Sequence, residues 1–119
     1  MEINDFALQF NKICKLAESW SDFARKKGLL ALEDMLDEEK VKQRDIFHYG
    51  MRFVVDGSDK DFLEKILSNI INLETDNEIK ILKTLQKEAV LGIEAGMNSF
   101  YLIELLNSHV DLLITYRRS

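Results

Sequence analysis

Apolar side chains recur at steps of three and four through the first third of the chain. Phe6, Phe10, Ile13, Ala17, Trp20 and Ala24 share one side of a helical wheel, so the spacing predicts a helix over residues 4–36. Asn4 or Asp5 stands where a side chain would cap its first turn. Gly28 lies inside that span, at a cost of about 1 kcal/mol against alanine. A closely packed backbone or a bend would explain it. Phe6, Phe10, Trp20 and Phe23 read as core. Residues 37–45 are almost wholly charged, as in a solvated turn or an exposed first turn. The period resumes near Asp45 with Phe47, Met51, Val54 and Val55. It stops at Asp56-Gly57, where glycine suits the left-handed position after a helix. Ser58, with Asp61 three residues on, predicts the next start. Phe62, Leu63, Ile66, Leu67, Ile70 and Ile71 form the following apolar face. That face lapses over 73–78, which predicts a tight turn. With no glycine or proline there, one continuous helix over 58–95 is the alternative. Ile79, Leu82, Leu85, Ala89, Val90 and Ile93 carry the next stripe, and Gly96 ends it. Asn98 or Ser99 then caps a last helix bearing Phe100, Leu102, Ile103, Leu105, Leu106, Val110 and Leu113. Residues 117–119 are expected to fray.

No segment carries a hairpin signal, and Val54-Val55 is too short to argue a strand. The expected fold is therefore all-α: a compact bundle of four or five helices, without strands, in one domain spanning residues 1–119. Phe10, Trp20, Leu32, Phe47, Val54, Leu63, Ile66, Leu67, Leu85 and Ile93 should form its core. Composition agrees with long uninterrupted helices, since the chain has no proline and only five glycines. Sixteen Lys and Arg against 21 Asp and Glu leave a net charge of −5. That argues against nucleic acid as the partner, because phosphates call for a basic surface. The single cysteine, Cys14, has no partner for a disulfide within the chain and lies on an apolar face, where a free thiol packs as a small hydrophobe. The N-terminus lacks the basic region of a signal peptide. No run approaches the roughly 18 apolar residues of a transmembrane segment. A soluble, cytoplasmic chain is expected.

Candidate chemistry is sparse. His48 and His109 are the only histidines. Asp45 and His48, three apart on one helix, offer two ligands, fewer than a zinc site uses. There is no glycine-rich phosphate loop, no HExxH and no Ser-His-Asp arrangement. We therefore expect no catalytic residue, metal, cofactor or small-molecule substrate, and no enzyme.

The densest mixture of charge is Ala24-Arg25-Lys26-Lys27-Gly28-Leu29-Leu30-Ala31-Leu32-Glu33. On a continuous helix Lys26 and Glu33 point nearly the same way, with Arg25 about 80° round from Glu33. Leu29, Leu32 and Met35 fall beside them. The plain reading is a solvated helix face with pairs such as Asp22 to Lys26.

This run resembles the cytoplasmic loop of the flagellar motor stator A-subunit, the MotA/PomA family. There an Ala-Arg-(Lys/Arg)-x-Gly-(hydrophobic)2-Ala-Leu-Glu helix precedes a Val-Asp-Gly corner and a further helix. Here Val54-Val55-Asp56-Gly57 and then Asp59-x-x-Phe62-Leu63-x-x-Ile66-Leu67 follow in that order, and the likeness covers about residues 16–73. Glu88-Ala89-Val90-Leu91-Gly92-Ile93-Glu94-Ala95-Gly96-Met97-Asn98 is similar to the family's C-terminal cytoplasmic tail, with Ser99 where a proline usually follows. The four membrane helices are absent, so loop and tail join near residues 74–80.

The resemblance implies a protein–protein interaction domain that is not itself an ion channel. Arg25, Lys26 and Glu33 match the charged positions that engage the rotor protein FliG. A location peripheral to the motor would follow. The chain would be a membrane-free paralogue or an excised piece of such a subunit. The alternative is a helical adaptor or regulator of another assembly, acting as a homo-oligomer through an exposed apolar face. Loss of the membrane part also implies bare apolar surface near 73–79, for which Leu112, Leu113 and Ile114 would be the cover.

Overall fold

The computed structural model describes residues 2–39 and 45–117. Six α-helices account for most of them: α1 (Ile3–Lys27), α2 (Leu32–Glu39), α3 (Ile46–Val55), α4 (Lys60–Ile71), α5 (Asn77–Glu94) and α6 (Ser99–Asn107). Short 3₁₀ turns cover Leu29–Ala31 and Leu112–Ile114. No strand occurs among the described residues, and the all-α expectation holds. The sixth helix arises because the chain breaks at Gly28, dividing the expected 4–36 helix into α1 and α2. The radius of gyration, 13.6 Å, is that of a compact domain, about 13–14 Å at this length.

The architecture centres on α5, which packs against α1, α3, α4 and α6. Its second half explains why: Ala89, Val90, Leu91, Gly92 and Ile93 are all buried. A helix that is apolar on every side satisfies that surface only by being surrounded. Two glycines let the neighbours close in. A Cβ on Gly50 of α3 would lie 3.0 Å from both methyls of Val90. One on Gly92 would lie 2.5 Å from Leu102 Cδ1 of α6. Trp20, Phe10, Phe47 and Met51 are fully buried, and Trp20 of α1 lies edge-on to Phe47 of α3 at 5.1 Å.

The helix junctions follow local chemistry. After α3, Gly57 N–H donates to Val54 O and Ser58 N–H to Phe53 O, both at 3.0 Å. After α5, Gly96 N–H donates to Ile93 O at 3.1 Å and Met97 N–H to Gly92 O at 2.9 Å. Each glycine takes a positive φ, and the paired bonds satisfy carbonyls that the helix end leaves open. Ser58 is thereby committed to the end of α3. The expected cap passes to Asp59, whose carboxylate accepts from Phe62 N–H at 2.8 Å. Asp45, Asp76 and Asn98 cap α3, α5 and α6 in the same way. α1 differs, since it begins at Ile3 with no side-chain cap bond, so Asn4 and Asp5 lie inside it.

The lapse at 73–78 is a turn, and the single 58–95 helix does not form. Glu74 clasps it, accepting from Asp76 N–H at 3.1 Å and from Lys83 Nζ at 2.8 Å. Lys87 of α5 reaches Glu64 of α4 at 3.0 Å, further tying the hairpin. The last helix is shorter than expected. It stops at Asn107, whose amide oxygen accepts from Tyr116 N–H and whose amide nitrogen donates to Tyr116 O. Val110 and Leu113 therefore belong to a returning tail.

The core matches the expected positions except for Ile66 and Phe23, which are half-buried. Leu73 is bare, as anticipated, but Leu112 and Leu113 do not cover it: both are exposed themselves. The charged run at 37–45 begins helically, because α2 extends to Glu39. Its residues 40–44, like residues 118–119, lie outside those described.

Candidate functional site: the corner between α1 and α2

Arg25, Lys26 and Lys27 form the last turn of α1, while Glu33 and Asp34 open α2. Between them Gly28 has φ 94° and ψ 158°, a conformation essentially restricted to glycine. Its N–H donates to Ala24 O at 2.7 Å, closing α1, and its carbonyl accepts from Ala31 N–H at 3.2 Å, opening the 3₁₀ turn. Nothing lies within 4 Å of the position its Cβ would take. Close packing is thus not what the glycine serves; the turn is. One helical wheel does not span Lys26 to Glu33, and the continuous stripe expected from residue spacing is replaced by two helix ends meeting at a corner.

This arrangement gives the mixed charge a structural meaning. A helix C-terminus carries partial negative charge and favours cations; an N-terminus favours acids. The basic triplet ends α1 and the acidic pair begins α2, so each group stands where its own helix stabilises it.

Arg25, Lys26 and Glu33 are all exposed, together with Lys27 and the side chain of Leu30. Arg25 is not wholly available, however. Its Nη1 donates to the Gly96 carbonyl at the end of α5. Beside it, buried Ser21 donates its hydroxyl to Met97 O at 2.8 Å. The end of α1 is thereby joined to the end of α5. Residue spacing alone could not reveal that contact, because its partners are 71 residues apart.

A second feature is the cleft of about 630 Å³ between α1 and the start of α3, with Lys12, Lys15, Asp45, His48 and Gln86 in its wall. Asp45 and His48 do come together, but to serve the fold. The Asp45 carboxylate accepts from the His48 backbone N–H and bonds its Nδ1, each at 2.8 Å. Burial pushes the Asp45 carboxyl up. The hydrogen bonds from the His48 ring and backbone and the attraction of His48 outweigh it, leaving Asp45 below the ordinary range. The His48 ring is buried edge-on to Trp20 and Phe47. Gln86 Oε1 accepts from Phe47 N–H at 3.0 Å. Among the described residues, no group of three or more His, Cys, Asp or Glu is placed to hold a metal. Cys14 is fully buried, and burial, with Glu18 nearby, pushes its thiol up to about 12. Among the described residues, no helix is long and apolar enough to cross a membrane.

Compared with protein-family models, with curated proteins and with solved structures, the chain finds no match.

Proposed function

We propose that the chain is a non-catalytic protein–protein interaction domain whose contact surface is the α1–α2 corner. On this reading it acts as the cytoplasmic part of a flagellar stator A-subunit does, meeting FliG through Lys26 and Glu33, with Arg25 beside them. The observation that carries the reading is the exposure of both signs of charge at a corner of fixed geometry. The contact between Arg25 and Gly96 supports it, since a loop and a tail that belong together should pack together. Exposed charges of this kind set encounter rate and register more than affinity. The binding is therefore weak, salt-sensitive and suited to a contact made and broken repeatedly. A cytoplasmic location beside the motor belongs to the same proposal.

The test is binding to the C-terminal domain of the cognate FliG across a range of salt. Lys26→Glu and Glu33→Lys should each slow association without altering the fold. Raising ionic strength past about 0.15 M, where the screening length is near 8 Å, should weaken the unmodified pair in the same way. A matching reversal on FliG should restore part of the loss. Absence of binding, or binding indifferent to both reversals, refutes the assignment.

A further inference from the structure

The face made by α6 and the tail beyond it is apolar and bare. Phe100 is 55% exposed, Tyr101 63%, Leu112 85% and Leu113 92%. These side chains stand on a fixed frame. The Phe100 and Tyr101 rings meet edge to face at 5.6 Å. The tail is pinned by the paired Asn107–Tyr116 bonds, at 2.8 and 3.0 Å. The Tyr116 hydroxyl donates to Glu18 Oε1 of α1 at 3.0 Å. Asp111 accepts from Leu113 N–H at 2.8 Å and holds the 3₁₀ turn that carries both leucines. Between α6 and the tail runs a groove of about 700 Å³ whose wall includes Phe100, Ile103, Leu112, Tyr116, Glu104 and Arg117.

We propose that this face receives a second copy of the chain, the two related by a twofold axis. Charge favours a copy. A twofold contact sets a patch against itself, so a patch of one sign would repel its own copy. This groove carries one acid, Glu104, and one base, Arg117. Among the described residues neither makes an ion pair within the chain. Across a twofold axis each Glu104 has the other copy's Arg117 as its counter-charge. The groove also has apolar surface on both of its walls: Phe100 of α6 and Leu112 of the tail line it while remaining largely exposed. Pairing would present two α1–α2 corners on one particle, so a weak charged contact could gain from bivalency.

Sedimentation velocity on the full chain tests this independently of any rotor partner. The weakest interfaces of standard size have micromolar dissociation constants, so dimer should be evident by about 100 µM. Leu112→Asp with Leu113→Asp should shift the protein to monomer while circular dichroism, and Tm measured at concentrations too low for dimer, stay unchanged, because neither side chain is packed in the chain itself. Glu104→Arg or Arg117→Glu alone should weaken the dimer about tenfold, and the two together should restore part of it. A monomer at 100 µM, a dimer that survives the double leucine change, or an assembly larger than a dimer would each overturn the proposal.

Discussion

Arg25→Glu should destabilise the fold, and Lys26→Glu should do so much less. Both residues lie in the last turn of α1, where a cation is worth about 0.3–1 kcal/mol. Only Arg25 also donates to the Gly96 carbonyl. A hydrogen bond from a charged donor contributes about 1.5–3 kcal/mol when protected. Arg25 is exposed, so solvent screening brings its share nearer 1 kcal/mol. Reversal removes both contributions. It also places a carboxylate beside the open carbonyls of two helix ends, those of α1 and α5. The loss should be about 2 kcal/mol for Arg25→Glu against at most about 1 kcal/mol for Lys26→Glu. Urea unfolding followed by Trp20 fluorescence measures the difference, because Trp20 is buried against Phe47 and reports the core. The slope with urea should not change, since neither variant alters the surface exposed on unfolding. Losses that agree within about 0.5 kcal/mol would show that the Gly96 contact contributes nothing. The distinction governs how binding data are read. A partner lost on reversing Lys26 or Glu33 reports the contact surface, whereas one lost on reversing Arg25 reports surface and fold together.

The remaining predictions concern the core and its titrating groups. Leu67→Ala, at a fully buried position of α4 whose side chain reaches Gly50 of α3, should cost about 2–5 kcal/mol in chemical denaturation; a loss below half a kcal/mol would mean that its face is not core. Gly92→Ala should cost about 1–3 kcal/mol, because Leu102 is itself fully buried and has nowhere to yield; an unchanged Tm would contradict the close approach of α5 and α6. Asp45 has a depressed carboxyl in the folded state, so its contribution is present above the ordinary carboxylate range and is lost as pH falls below about 4. Asp45→Asn should therefore flatten the fall in stability below that pH, and an acid profile identical to that of the unmodified protein would exclude the mechanism. Cys14, with its thiol raised to about 12, should resist alkylation at pH 8 until the protein unfolds; rapid labelling of folded protein would show that α1 opens locally.

The helical class, the Asn98 cap of α6, and the corners at Gly57 and Gly96 were all legible along the chain. Each depends on residues within one or two turns of each other. A period of 3.6 marks which face is apolar, a glycine accepts positive φ, and a side-chain oxygen reaches a backbone N–H three residues on. The same local rules misplaced two caps: Ser58 was already committed to closing α3, and α1 starts at Ile3, ahead of Asn4 and Asp5. They also placed a single helix across Gly28, because Leu29, Leu32 and Met35 continue the apolar spacing beyond it. Periodicity records which side of a segment avoids water; it does not record whether the axis turns. That choice was tertiary: α2 leaves the line of α1 to pack on α3. The pairing of Arg25 with Gly96 was equally out of reach, since a side chain meeting a carbonyl 71 residues away leaves no local trace. The charges at the corner were visible from the start, but only the meeting of two helix ends explains why bases precede Gly28 and acids follow it.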